Sequence, residues 1–184
     1  MIIGLTGYYC SGKDAIAEYI SKKYEYKHYS LSDILREMMK EKGIDPSRKN
    51  LIAFGTELRE ENGNGVLARK VLKKIGFNDD CCITSIRHSE EVEELRKRKD
   101  FVLVNVAAPR SVRFERMQKR KRLGDPQTLK KFTEFEEKES QTEGSGQQLG
   151  KTADMADITF VNDSNDVSNL GTAVEKLLKD IKNV

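Results

Sequence analysis

Tryptophan is absent, and cysteine, histidine and proline nearly so, with three, two and three residues in a chain of 184. Each scarcity closes a class of function. Cys10, Cys81 and Cys82 are odd in number and two are adjacent, which makes neither a disulfide framework nor a metal-ligand spacing. Reduced thiols in a cytoplasmic protein are the expectation. His28 and His88 share no cluster with cysteine or acid, so structural roles are expected for both. No apolar run approaches the roughly 20 residues needed to span a bilayer. The first residues enter a strand without a basic leader, so neither a membrane nor export is expected. A net charge of +3 is too small to argue a nucleic-acid partner, so any basic function must be local.

What remains is a charge-rich globular chain, 34% charged and 37% hydrophobic, of the size of one ordinary domain spanning residues 1–184. "MIIGLT" and "CCITSI" read as buried strands, "FVLVNVAA" is the clearest of all, and "YKHYSL" and "ADITFVN" are weaker ones. Between them lie helical patterns: "DAIAEYISKKY", "SDILREMMKEKG" with Ser32 as N-cap, "SEEVEELRKRK", the basic "RSVRFERMQKRKR" and the closing "VSNLGTAVEKLLKDI". Alternating strands and helices predict an α/β fold, a mostly parallel five-stranded sheet with helices on both faces. A helical excursion over about 32–76 departs from that alternation, and a break at Gly124-Asp125-Pro126 marks a short lid over about 116–127.

The stretch "GLTGYYCSGKD" carries the chemistry. Gly7-x-x-x-x-Gly12-Lys13 follows a strand and opens a helix, the context that separates a phosphate loop from a chance match. The residues from Gly7 through Tyr8, Tyr9, Cys10 and Ser11 to Gly12 turn backbone N–H groups inward around phosphate oxygens. The helix N-terminus adds about half a positive charge, and Lys13 reaches the β and γ phosphates. Ser32, Asp33 and Arg36 open the helix that follows the second strand, and Arg87 follows the third, at the carboxyl end of the sheet where ligands bind in open α/β folds. Arg120 and Arg122 lie beside the lid break. Arginine suits such positions because its planar fork clamps phosphate oxygens bidentately. "SGQQLGKT", 145–152, imitates a second loop, but Ser145 replaces the first glycine and no strand precedes it. It is read as a decoy, and "EFEEKE" as a solvated helix face.

With "SDILREMMKEKG", "ELREENG", "IRHSEEVEELR", "RLGDPQTLKKF" and "ADMADITFVND", these pieces make nearly the whole chain resemble the P-loop nucleotide kinases, the superfamily of adenylate, cytidylate and dephospho-CoA kinases. It looks closest to archaeal proteins related to dephospho-CoA and nucleotide kinases. The "SGKD" loop is also similar to that of phage deoxynucleotide monophosphate kinases and animal-type phosphomevalonate kinases. The resemblance implies a three-layer α/β/α P-loop kinase fold with ATP as donor and Mg2+ as cofactor. It also implies a phosphate-bearing small-molecule acceptor clamped by Arg36 and Arg87, lid arginines Arg120 and Arg122, and adenine contact at Asn162. Asp33 is a candidate base or water-orienting group if the acceptor is a hydroxyl; a phosphate acceptor needs none.

Two departures stand out. Asp14 replaces the hydroxyl residue that normally follows the lysine, and "ITSIR" offers Thr84 and Ser85 in place of a third-strand aspartate. The expectation is an exchange: Asp14 holds the metal, with Thr84 or Ser85 opposite it. Two other classes remain open, a nucleotide-binding regulatory protein with little or no kinase activity, and a nucleic-acid binder using the basic helix. No recognition fold or stacking signature accompanies the latter.

Overall fold

The computed structural model describes residues 1–121, 125–140, 144–165 and 169–183. The chain begins in β1 (Ile2–Thr6), passes the glycine loop into α1 (Lys13–Tyr24), and returns through β2 (Lys27–Ser30). The excursion follows as α2 (Leu31–Glu41), α3 (Arg48–Asn62) and α4 (Val66–Leu72). Then come β3 (Cys81–Thr84), α5 (Ser89–Leu95), β4 (Phe101–Ala107), α6 (Arg110–Arg120) and α7 (Leu129–Ser140). The last described elements are α8 (Leu149–Asp154), β5 (Ile158–Val161) and α9 (Leu170–Ile181).

Five strands form one sheet in the order β2-β3-β1-β4-β5, and every pairing is parallel. Both faces are buried because side chains alternate across the pleat. Ile2, Ile83 and Leu103 face Leu35, Val71 and Val92 of the helices on one side. Ile3, Leu5 and Val104 face Ile16, Ile20 and Leu177 on the other. The result is the expected three-layer α/β/α arrangement. The chain runs from β1 to the β2 edge, returns to β3 and then crosses β1 to β4, so the order reverses at β1, and the loop leaving β1 opens where such sheets bind ligands.

Three local expectations are corrected. β2 keeps its register with β3 through Ser30 opposite Thr84, and the helix starts at the next residue. The N-cap position is therefore Ser30, and Ser32 already lies in the first turn. α5 stops at Leu95, not at the lysines beyond it. The acidic run in α7 is not simply a solvated face, because Glu136 is 3% exposed and paired with Arg110 and Arg113.

Candidate active site

Gly7 (φ 128°) and Gly12 (φ 102°) bracket the loop in the left-handed region. A Cβ on Gly7 would stand 2.4 Å from the Val106 carbonyl oxygen, and one on Gly12 2.3 Å from the Asn162 amide nitrogen. Gly7 leaves no room for a side chain, and one on Gly12 would have to displace the Asn162 amide. Gly12→Ala therefore adds a steric clash to a backbone strain of about 1–3 kcal/mol. The expected outcome is a folded protein by circular dichroism with no calorimetric signal for Mg·ATP.

Lys13 is half-buried and donates to the carbonyls of Gly7 (2.8 Å) and Tyr8 (2.7 Å) and to the Ser11 hydroxyl (3.2 Å). Its ammonium thus points back into the loop it opens, held by the oxygens an incoming phosphate would displace. Burial pushes its pKa down to about 8, Asp14 opposes that shift, and Arg87 adds to it. Polyphosphate favours the charged ammonium, so a nucleotide that binds there raises the pKa again. Above pH 8 binding must then take up a proton, and affinity falls as pH rises through that value. Calorimetry at about pH 8.5–9 in buffers of differing ionisation heat tests this. The same shift makes the folded state gain stability as pH rises from about 8 toward the model-compound value of 10.5, where the unfolded chain holds the proton more tightly.

The loop opens into a cavity of about 900 Å3, within the range of small-molecule sites. Lys13, Asp14, Asp33, Arg36, Arg87 and Arg120 all line it. Seven of the lining side chains are cationic and three are carboxylates, which selects for a polyanion. Asp33 and Arg36 bond to each other at 2.7 Å on the exposed start of α2. An exposed pair of this kind is worth about 0–1 kcal/mol, so Arg36 is cheaply released from it. Arg87 is held at 3.1 Å by the side-chain oxygen of Gln147, and its carbonyl accepts from the Gln148 backbone at 2.7 Å.

The basic helix is organised as a scaffold more than as a clamp. Arg113 donates to the Ala108 carbonyl and pairs with Glu136. Arg116 donates to the carbonyls of Cys10 (3.3 Å), Ser11 (3.0 Å) and Ser164 (2.7 Å), and to Asn162 at both its oxygens (3.1 Å each). Asn162 donates back to the Ser11 carbonyl at 2.8 Å, so the residue expected to touch adenine fastens the loop to the end of β5. Arg120 pairs with Asp125 at 2.9 Å and bonds to the Tyr9 hydroxyl. Arg122 lies outside the described residues.

The two candidate hydroxyls separate. Thr84 is fully buried and its hydroxyl meets His28 at 3.0 Å, whereas Ser85, at φ 64°, lines the cavity and accepts from Ser30 at 3.1 Å. No group of three or more acids, cysteines and histidines suited to a metal occurs among the described residues. Mg2+ needs no such cage, since it is commonly held by one or two carboxylates, waters and substrate phosphates. Asp14, exposed and beside Lys13 on the cavity wall, fits that donor set. Cys10 also lines the cavity, with its thiol pKa raised by burial. Tyr8 and Ser11 belong to the loop but not to the lining. His88 is structural: its Nδ1 accepts from the Glu90 amide as the N-cap of α5, and Nε2 meets the Gly144 carbonyl at 2.9 Å.

Arg48, Arg59 and Gln147 line the cavity without having been singled out from sequence. Gln147 falls in the supposed decoy, which forms no phosphate loop but seals the Arg87 side of the site. Arg59 is buried on α3 against Glu91 at 2.9 Å, and its place in "ELREENG" was the one available hint.

A family model described as an AAA domain matches residues 3–142. A UPF0200 protein of Hyperthermus butylicus is 33% identical over 165 residues, covering 89% of this chain and 86% of that protein. The chain belongs to the UPF0200 family of AAA-domain proteins. Another UPF0200 protein, from Methanocaldococcus jannaschii, is 31% identical over the full length of this chain and 91% of its own. The fold of this UPF0200 chain is that of shikimate kinases. The enzyme from Bacteroides thetaiotaomicron superposes with a TM-score of 0.67 over 99% of this chain and 98% of its own, at 16% identity. Shikimate kinase from Aquifex aeolicus gives 0.59 over 100% and 97%, at 18% identity. A P-loop kinase-like architecture is thus common to them. No helix among the described residues of the UPF0200 chain is long and apolar enough to cross a membrane.

Proposed function

We propose that the protein is an ATP- and Mg2+-dependent phosphotransferase that moves the γ-phosphoryl of ATP to a nucleotide-like acceptor, a nucleoside monophosphate or dephospho-CoA. The observation that carries this reading is the shared cavity: a phosphate loop with Lys13 and acceptor-side arginines Arg36 and Arg87 open into one basic space. A protein that only bound a nucleotide would have no use for a second set of phosphate-gripping groups.

In this reading the loop N–H groups and Lys13 hold the donor phosphates, and Lys13 moves from the Gly7 and Tyr8 carbonyls to do so. Arg36 leaves Asp33 to join Arg87 on the acceptor phosphate. Arg120 closes over the transferring group. Positioning and charge neutralisation carry the reaction, without a covalent intermediate. When bound with ATP, Mg2+ would supply positive charge that neutralises the phosphates. Asp14 would hold it, with Ser85 nearer than Thr84 to the cavity and therefore the better candidate for the opposing hydroxyl. A carboxylate beside triphosphate repels it when metal is lacking, so binding depends steeply on Mg2+. Asp14→Asn is expected to flatten that dependence, raising metal-free ATP affinity while lowering turnover about tenfold or more. An unchanged magnesium profile for turnover would remove Asp14 from the metal site.

The alternative is a regulatory nucleotide-binding protein with weak or no kinase activity. The absence of a carboxylate at Thr84 favours it. ADP formation that depends on an acceptor separates the two readings: a kinase produces it, and a regulator binds Mg·ATP without it.

A further inference from the structure

Three parts of the cavity wall meet on one ring. Tyr9, at the crest of the phosphate loop, has the Arg48 guanidinium 4.6 Å from its centroid and the Arg120 guanidinium at 4.6 Å as well. Arg48 opens α3 on the acceptor side, and it also lies 4.0 Å from the centroid of Phe135 on α7. Phe135 packs edge-on against Tyr9 with centroids 6.0 Å apart. The Tyr9 hydroxyl donates to Asp125 at 3.3 Å and accepts from Arg120. Asp125 is itself 8% exposed and pairs with Arg120, so the hydroxyl joins an ion pair whose acid is already shielded from water. Tyr9, Arg48, Arg120 and Asp125 all line the cavity.

A phosphate loop needs no aromatic residue to cradle phosphate, because backbone N–H groups do that work. A tyrosine at this position therefore has another cause. Its π-face attracts guanidinium groups, and its hydroxyl fixes the direction of one of them.

We infer that Tyr9 is a positioning residue that sets Arg48 and Arg120 at the mouth of the phosphate loop, so that loop, acceptor helix and lid side form one arginine-lined rim around the transferring phosphoryl. Arg48 thereby becomes a further phosphate-contacting residue on the acceptor side. This rests on the phosphotransferase reading for its consequence in turnover, but not for its geometry.

Since the chain has no tryptophan, Tyr9→Trp would give it a single indole emitter at the ring position itself. Emission from this variant is expected to be blue-shifted and to change on addition of Mg·ATP. In an added Arg48→Ala, Arg120→Ala background it is expected to be red-shifted and nearly insensitive, with Mg·ATP binding still detected by calorimetry. Equal emission and equal response in the two backgrounds would overturn the inference. Turnover supplies a second arm that does not need the tryptophan variant to fold. Tyr9→Ala is expected to lower kcat about tenfold or more while KM for ATP stays within about twofold, and Tyr9→Phe to recover most of that loss. Phe and Ala variants with the same kcat would contradict positioning by the ring. A wild-type protein that binds Mg·ATP but never turns it over would sink the kinase reading alone, leaving the fluorescence comparison to decide the role of Tyr9.

Discussion

Replacing Lys13 by alanine is expected to weaken Mg·ATP binding by about 100-fold or more and to leave no measurable phosphoryl transfer. Truncating one partner of a close charge pair removes about 2–5 kcal/mol, and among the described residues the cavity wall offers the β and γ phosphates no other lysine. The loss is expected in binding as well as rate, because in the proposed reading the ammonium meets phosphate in both ground and transition states. The protein itself is expected to remain folded. Lys13 carries a burden in the folded state, since burial holds its pKa at about 8. Its removal deletes a poorly solvated charge, so the thermal midpoint is expected to stay level or rise slightly at about pH 7. Calorimetry and a melting curve on one sample read both effects. Retained nanomolar-to-micromolar ATP affinity in the variant would mean that the loop grips phosphate by its backbone alone.

The second large effect is on stability. Glu91 is fully buried and holds three donors: Arg59 at 2.9 Å, the Arg87 amide at 2.8 Å and the His88 amide at 3.1 Å. It closes the capping box of α5 and neutralises an arginine that is 6% exposed on α3. Removing one member of a buried pair leaves the other charged and desolvated, which costs about 3–5 kcal/mol. Glu91→Ala is expected to lower the unfolding free energy from urea titration by that amount, and Arg59→Met in the same chain to recover part of it. A loss below about 1 kcal/mol would mean that water reaches Arg59. Because Glu91 also fixes the backbone of Arg87, a folded Glu91→Gln is expected to raise KM for the acceptor more than KM for ATP.

Much of this site could be read from the chain because its parts are local in sequence. The loop from Gly7 to Lys13 carries its own context, strand before and helix after, and the structure keeps it so. Asp33, Arg36 and Arg87 follow β2 and β3 directly, and parallel strands deliver their carboxyl ends to one edge of the sheet. Arg48 and Gln147 were not legible for the opposite reason. Each reaches the cavity from a segment whose position is set by tertiary packing, Arg48 through the rings of Tyr9 and Phe135, Gln147 through a loop laid across Arg87. Charge count alone could not reveal that Glu136 would be buried against Arg110 and Arg113, or that Arg116 would fasten the loop to Asn162. Which of Thr84 and Ser85 faces the cavity was not legible in the chain: Ser85, in the left-handed region, lines it, and Thr84 is buried.

The most direct test is ADP formation from Mg·ATP against dephospho-CoA and the common ribo- and deoxynucleoside monophosphates, with Lys13→Ala run in parallel. The cavity predicts ADP that appears with one acceptor class, saturates with it, and vanishes in the variant. Tight Mg·ATP binding with the same slow ADP release whatever acceptor is added would contradict a phosphotransferase and leave a regulatory nucleotide-binding protein.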